Sequence, residues 1–235
     1  MIKAVSDDVK TILRNISKYI DQTLLKFELS LKEYIDFVNK SEKYDFRSIV
    51  VPSAVVEHVA SISKLPVVGV VGFPFGYHPV EAKIKEIEAV ANGGGREVDA
   101  VINLIYLKEG LYDKIKEEIK SLVSYAHDLG LSIKIIIETS ILTVDEIIKT
   151  AEIVASERAD FIKTNTGFGP RGVCLEDIIL IKDTVGDKIR IKAAGGVRTA
   201  LDAAYLVLHG ADVIGTSRGI KIVEEAEKLL GLSFK

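Results

Sequence analysis

The chain has 235 residues, 48% hydrophobic and 28% charged, enough for one α/β barrel or two small domains around a large core. A net charge of −3 with no clustered basic stripe argues against a nucleic-acid partner, and no apolar run approaches the roughly 20 residues of a membrane span. Cys174 is the single cysteine, which excludes an internal disulfide and fits a reducing, cytoplasmic setting.

The opening residues, Met1 to Lys10, are acidic and polar where a secretory leader would be basic and then apolar. Ser6 reads as the N-cap of a helix running to Ser17, with Val9, Ile12, Leu13 and Ile16 on one face. A strand follows at Tyr19–Leu25 and a helix from Leu31 to about Asn39. Strands are then expected at Arg47–Val51, Val67–Phe73, Val98–Asn103, Ser132–Glu138, Phe161–Thr164, Arg190–Ala194 and Val213–Gly215. Between and after them, helices are expected near Ser53–Ser63, Val80–Asn92, Leu111–Leu129, Val144–Ser156, Leu175–Thr184, Ala200–Leu208 and Ile220–Leu230. Strands that are apolar throughout, such as Val67–Phe73, suit a sheet covered on both faces. Eight β-then-α units with short connections predict an α/β chain folded as a (β/α)8 TIM barrel, one domain over residues 1–235. The additional N-terminal helix, with no strand before it, is expected to cap the barrel's N-terminal end. A single Met, a single Gln and few Asn beside many Lys, Glu and Ile resemble the composition of thermophile proteins.

In such a barrel the reactive groups sit at the C-terminal ends of the strands. The polar residues there are Asp21 and Thr23, Asp99 and Asn103, Glu138, Lys163 and Lys192. Side chains alternate along a strand, so in Val98–Asn103 the residues Asp99, Val101 and Asn103 share a face. The other face is wholly apolar and suits the helices, which turns Asp99 into the barrel. The same alternation turns Lys192 inward and Ile191 and Ala193 outward. An aspartate and two lysines inside one barrel are hard to explain as packing, because stability rarely calls for buried ion pairs. Two neighbouring lysines lower each other's pKa, and a neutral lysine amine is a nucleophile toward carbonyl carbon. Spacing does not choose between Lys163 and Lys192 for that role. The runs Lys83–Glu88 and Lys114–Lys120 read as solvated helix faces, the four histidines as surface or packing residues, and Cys174 as a structural thiol.

Two strand ends carry glycine. The seventh strand runs into Gly195-Gly196-Val197-Arg198 and the eighth into Gly215-Thr216-Ser217-Arg218. Glycines let backbone N–H groups approach an anion, and these two loops are where barrel enzymes commonly bind phosphate. From the residues alone, an aldolase, a phosphosugar isomerase and a phosphometabolite-binding barrel with ion-paired lysines all remain open.

The motifs Ile20-Asp-Gln-Thr23, Phe73-Pro-Phe-Gly76, Glu97 to Asn103, Ile137-Glu-Thr139, Phe161 to Phe168 and Ile191 to Thr199 span nearly the whole chain. Together they resemble the deoxyribose-phosphate aldolases, a family of class I aldolases. The resemblance implies Lys163 as the Schiff-base lysine, with Asp99 and Lys192 as proton donors and acceptors. It implies small phosphosugar and aldehyde substrates, no metal or organic cofactor, no nucleic-acid or membrane partner, and a homo-oligomer. Substrate contacts are expected from Asp21, Thr23, Asn103, Thr166, Gly167, Gly195, Gly196, Gly215 and Ser217. The chain departs from the family pattern twice: Phe168 stands where some members carry lysine, and Gly231–Lys235 lacks the tyrosine with which some members end.

Overall fold

The structure is a computed structural model and describes residues 6–231; the chain end that lacks a tyrosine lies largely outside them. Among the described residues, eight parallel strands close into a barrel in sequence order. They are β1 (Ile20–Thr23), β2 (Ser48–Pro52), β3 (Val67–Val71), β4 (Glu97–Val101), β5 (Ser132–Ile136), β6 (Phe161–Lys163), β7 (Arg190–Ala194) and β8 (Val213–Thr216). The helices are α1 (Asp7–Arg14), α2 (Ile16–Tyr19), α3 (Leu31–Ser41), α4 (Val56–Ala60), α5 (Val80–Asn92), α6 (Leu104–Lys108), α7 (Tyr112–Asp128), α8 (Val144–Ser156), α9 (Leu175–Val185), α10 (Ala200–Leu208) and α11 (Gly219–Leu229).

Local sequence explains the boundaries. Thr143 caps α8 reciprocally, its hydroxyl accepting the Glu146 N–H while the Glu146 carboxylate accepts the Thr143 N–H. In α7 the residues Ile115, Ile119, Leu122 and Ala126 fall on one stripe and are buried against the sheet side. The expected first helix breaks at Asn15, whose backbone leaves the helical region and whose side chain donates to the Thr11 carbonyl. α1 then packs on α10 and α11 instead of capping the barrel, and only the Asn15–Tyr19 stretch reaches its N-terminal mouth, beside Arg47 and Arg190.

Two apolar regions result. The main core lies between the sheet and the helices and takes the outward residues, among them Ile49, Val51, Val98, Ala100, Ile133, Ile135, Ile191 and Ala193. A small separate cluster of Val50, Val68 and Val70, covered by Leu25 and Phe73, fills one side of the interior. The other side of the interior is charged.

One expectation about the helices is corrected. Lys83 and Glu118 do not face water; both are buried and paired between α5 and α7. Lys83 Nζ also donates to the carbonyls of Gly76 and Val101, and Glu118 accepts the Asn103 N–H. Burial pushes the lysine's pKa down and the glutamate's up, with the partner's charge opposing in each case. The pair ties the loop after β3 to the end of β4, on the rim of the barrel.

Candidate active site

The charged half of the interior is a continuous column. At the lower end the Arg47 guanidinium donates to Asp21 and to Glu97, each at 2.7 Å. Lys134, from the middle of β5, pairs with Glu97 and lies 3.0 Å from Asp99 Oδ1 and 3.9 Å from Asp21 Oδ2. Lys192 Nζ donates to Asp21 Oδ2 at 2.6 Å and to Asp99 Oδ2 at 2.7 Å. Lys163 Nζ, at the top, donates to Asp99 Oδ2 alone, at 2.9 Å. The register places these groups: Lys163 is level with Lys192 across β6 and β7, and Asp99 is level with Lys134 across β4 and β5. Gly215 on β8 leaves room for Lys192, since a Cβ there would stand 3.0 Å from Lys192 Cε.

Counting charges decides where the column is weakest. Four cations, Arg47, Lys134, Lys163 and Lys192, face three carboxylates, Asp21, Glu97 and Asp99. Lys134 has three carboxylates within ion-pair reach, Lys192 two and Lys163 one. The surplus proton is therefore easiest to lose from Lys163. Its pKa is pulled down to about 8, first by burial; Asp99 opposes the shift, and the charges of Lys192 and then Lys134 add to it. Desolvation, more than the second lysine to which the sequence points, is the larger cause. The carboxylates hold the Lys134 pKa above its ordinary value despite its burial. Asp99 and Asp21 lie below the usual carboxylate range; burial is the largest influence on each and opposes that shift, but the surrounding lysines together outweigh it.

Lys163 also opens on a cavity of about 280 Å³. Its wall carries Thr23, Thr166, Gly167, Gly195, Gly196, Gly215 and Ser217, seven of the expected substrate contacts. Among the described residues, the backbone N–H groups of Gly167, Gly196 and Ser217 have no protein acceptor. Three free amides on one concave wall form an anion cradle. Lys26, Arg198 and Arg218 line the same cavity and add positive charge where Phe168 supplies none. Phe168 instead packs edge-on against Phe73, whose ring centroid is 5.8 Å from Lys163 Nζ.

Two expected substrate contacts fall elsewhere. Asp21 is fully buried beneath the cavity, where it accepts the Ser48 hydroxyl and is the counter-ion of Arg47 and Lys192. Asn103 lies beyond the end of β4, so the alternation does not extend to it. Its side-chain oxygen caps α6, accepting the N–H groups of Ile105 and Tyr106. Thr166 lines the cavity, but its hydroxyl and its N–H both donate to Glu138.

Lys134 was missed by the sequence reading, although the signal was present. In Ser132-Ile-Lys-Ile-Ile136 a lysine stands between two outward isoleucines, the same pattern that turned Lys192 inward.

Comparison with known proteins agrees with this geometry. A family model described as DeoC/LacD family aldolase matches residues 18–225. A deoxyribose-phosphate aldolase of Thermoanaerobacter sp. (strain X514) is 41% identical over 219 residues, covering 92% of this chain and 98% of the relative. The solved structure of QR15, an aldolase, superposes with a TM-score of 0.88 at 40% identity, covering 92% of this chain and 98% of that one. The deoxyribose phosphate aldolase of Aeropyrum pernix, described as a unique tetramer, gives a TM-score of 0.86 at 25% identity, covering 96% and 100%.

Proposed function

The chain belongs to the DeoC/LacD family of aldolases, and from that premise we propose that it reversibly cleaves 2-deoxy-D-ribose 5-phosphate into acetaldehyde and D-glyceraldehyde 3-phosphate. One observation carries the proposal: of the three lysines buried inside the barrel, Lys163 alone lines the anion-cradling cavity, and its pKa is drawn down to about 8. A lysine free to shed its proton beside an anion cradle suits an aldehyde that carries a phosphate.

In the cleavage direction the neutral Lys163 amine attacks C1 of the open-chain sugar, and water leaves to give an iminium. Removal of the C3 hydroxyl proton breaks the C2–C3 bond; its electron pair moves into the enamine, and glyceraldehyde 3-phosphate departs. Protonation of the enamine carbon and hydrolysis of the iminium release acetaldehyde and restore the amine. Asp99, within hydrogen-bond reach of both lysines, moves these protons together with Lys192. Thr23, Thr166, Gly167, Gly195, Gly196, Gly215 and Ser217 enclose the sugar phosphate, and the free amides meet the phosphate. Asp21 holds Lys192 in register.

The experiment is a cleavage assay that follows glyceraldehyde 3-phosphate release, with 2-deoxyribose 5-phosphate against fructose 1,6-bisphosphate. Turnover of the first alone is expected. Turnover of the second alone would assign the site to a longer sugar phosphate. A cytoplasmic homo-oligomer completes the reading; the single cysteine and the tetramer described for the Aeropyrum pernix protein support it.

A further inference from the structure

Glu138 is a buried carboxylate that the reaction above does not use. It lies two residues beyond β5 with φ +58° and ψ +62°. That left-handed conformation is unfavourable for a side chain with a Cβ, and residues held in it cluster at functional sites. From there the side chain crosses to the loop after β6. Its Oε2 accepts the Thr166 N–H at 2.9 Å and the Thr166 hydroxyl at 2.6 Å, and its Oε1 accepts the Ser140 hydroxyl at 2.6 Å. Thr166 Oγ1 in turn accepts the Phe168 N–H at 3.1 Å.

The pattern leaves one amide over. In the turn Thr166-Gly167-Phe168 the first and third N–H groups are engaged through Glu138, directly or by way of Thr166. Gly167, between them, lines the cavity with its N–H unclaimed among the described residues. Three neutral donors hold the carboxylate, so it shapes the turn without tying up a cation that the phosphate needs. The fit is close: a Cβ on Gly169 would stand 2.5 Å from Glu138 Oε1 and 2.2 Å from Ser140 Oγ.

We propose that Glu138 is the positioning residue for the phosphate end of the substrate, holding the Thr166–Phe168 turn so that the Gly167 amide meets the phosphate. The proposal rests on the phosphosugar reading above. It concerns binding and not chemistry, so its mark is a rise in KM at constant kcat, confined to phosphorylated substrate.

The test measures kcat and KM for 2-deoxyribose 5-phosphate and for unphosphorylated 2-deoxyribose in the wild type, Glu138→Ala and Gly169→Ala. In both variants KM for the phosphorylated sugar should rise about tenfold to a hundredfold, the contribution of a hydrogen bond to a charged group, with kcat within about threefold. Kinetics on the unphosphorylated sugar should not change. Glu138→Gln, which keeps one acceptor oxygen, should recover most of the lost KM. Gly169→Ala disturbs the same contact from the other side and gives the readout if Glu138→Ala does not fold. Equal losses on both sugars, or a phosphate preference that survives in both variants, would overturn the inference while leaving the aldolase reading intact. A wild type with no preference for the phosphorylated sugar would overturn the phosphosugar reading and the inference with it.

Discussion

Lys163 has the smallest share of negative charge in a column where cations outnumber carboxylates, and it is the member that faces the cavity. With its pKa near 8, the rate of Schiff-base formation with acetaldehyde should climb through that pH as the amine loses its proton, and level off above it. Single-turnover trapping across pH measures this, and a flat profile between about pH 7 and 9 would contradict it. The same shift has a sign for stability. The unfolded chain holds this proton more tightly than the folded one, so Lys163 makes the fold more stable as pH rises from about 8 toward 10.5. Asp99 bears on both properties. Asp99→Asn should slow proton transfer, and because three lysines then face a neutral amide it should also cost about 3–5 kcal/mol in a urea melt. The alternation of β4 and β7 made Asp99 and Lys192 legible as inward residues. The third lysine was legible by the same rule, yet its strand end offered Glu138 as the more conspicuous polar residue. What the sequence could not convey was the count of carboxylates around each lysine, which depends on register across five strands.

At the scale of the elements, the strand order and most helix positions followed from apolar runs and periodicity, and α8 and β7 begin and end where expected. Strand ends were harder. The expected fourth strand ran two residues too far because Ile102 and Asn103 continue the alternation in sequence, while Asn103 is a helix cap in the structure. α6 has no counterpart among the expected elements: the helix expected there begins at Leu111, and the five residues Leu104–Lys108 are too short a run to show helical periodicity. The Lys83–Glu118 pair was hidden for a different reason: charged residues on a helix usually face water, and two of them met across the α5–α7 interface instead. Lys83→Met should cost about 3–5 kcal/mol by orphaning Glu118, and Lys83→Met with Glu118→Leu should recover much of it. Chemical denaturation of the two variants checks this; equal stability of the single variant and the wild type would contradict it.

The whole molecule is a barrel with a divided interior. Valines fill one side and an ion-pair column the other, from Arg47 at the N-terminal mouth to Lys163 under the cavity. A column of this kind makes the fold sensitive to acid. Asp21 and Asp99 have depressed pKa values, so their stabilisation is present above the ordinary carboxylate pKa of 3.8 and is lost as pH falls below it. Urea midpoints should therefore fall between neutral pH and about pH 3, and Asp21→Asn should blunt that dependence. The barrel architecture was readable from eight repeated units; the division of its interior was not, because it emerges only when strands from across the sheet are brought together.

The proposed chemistry passes through a single atom, the Nζ of Lys163. Reduction with borohydride in the presence of acetaldehyde, followed by peptide mass mapping, tests it most directly. One ethyl group is expected on the peptide that carries Lys163. An adduct on Lys192 or Lys134 alone, or none at all, would contradict the assignment.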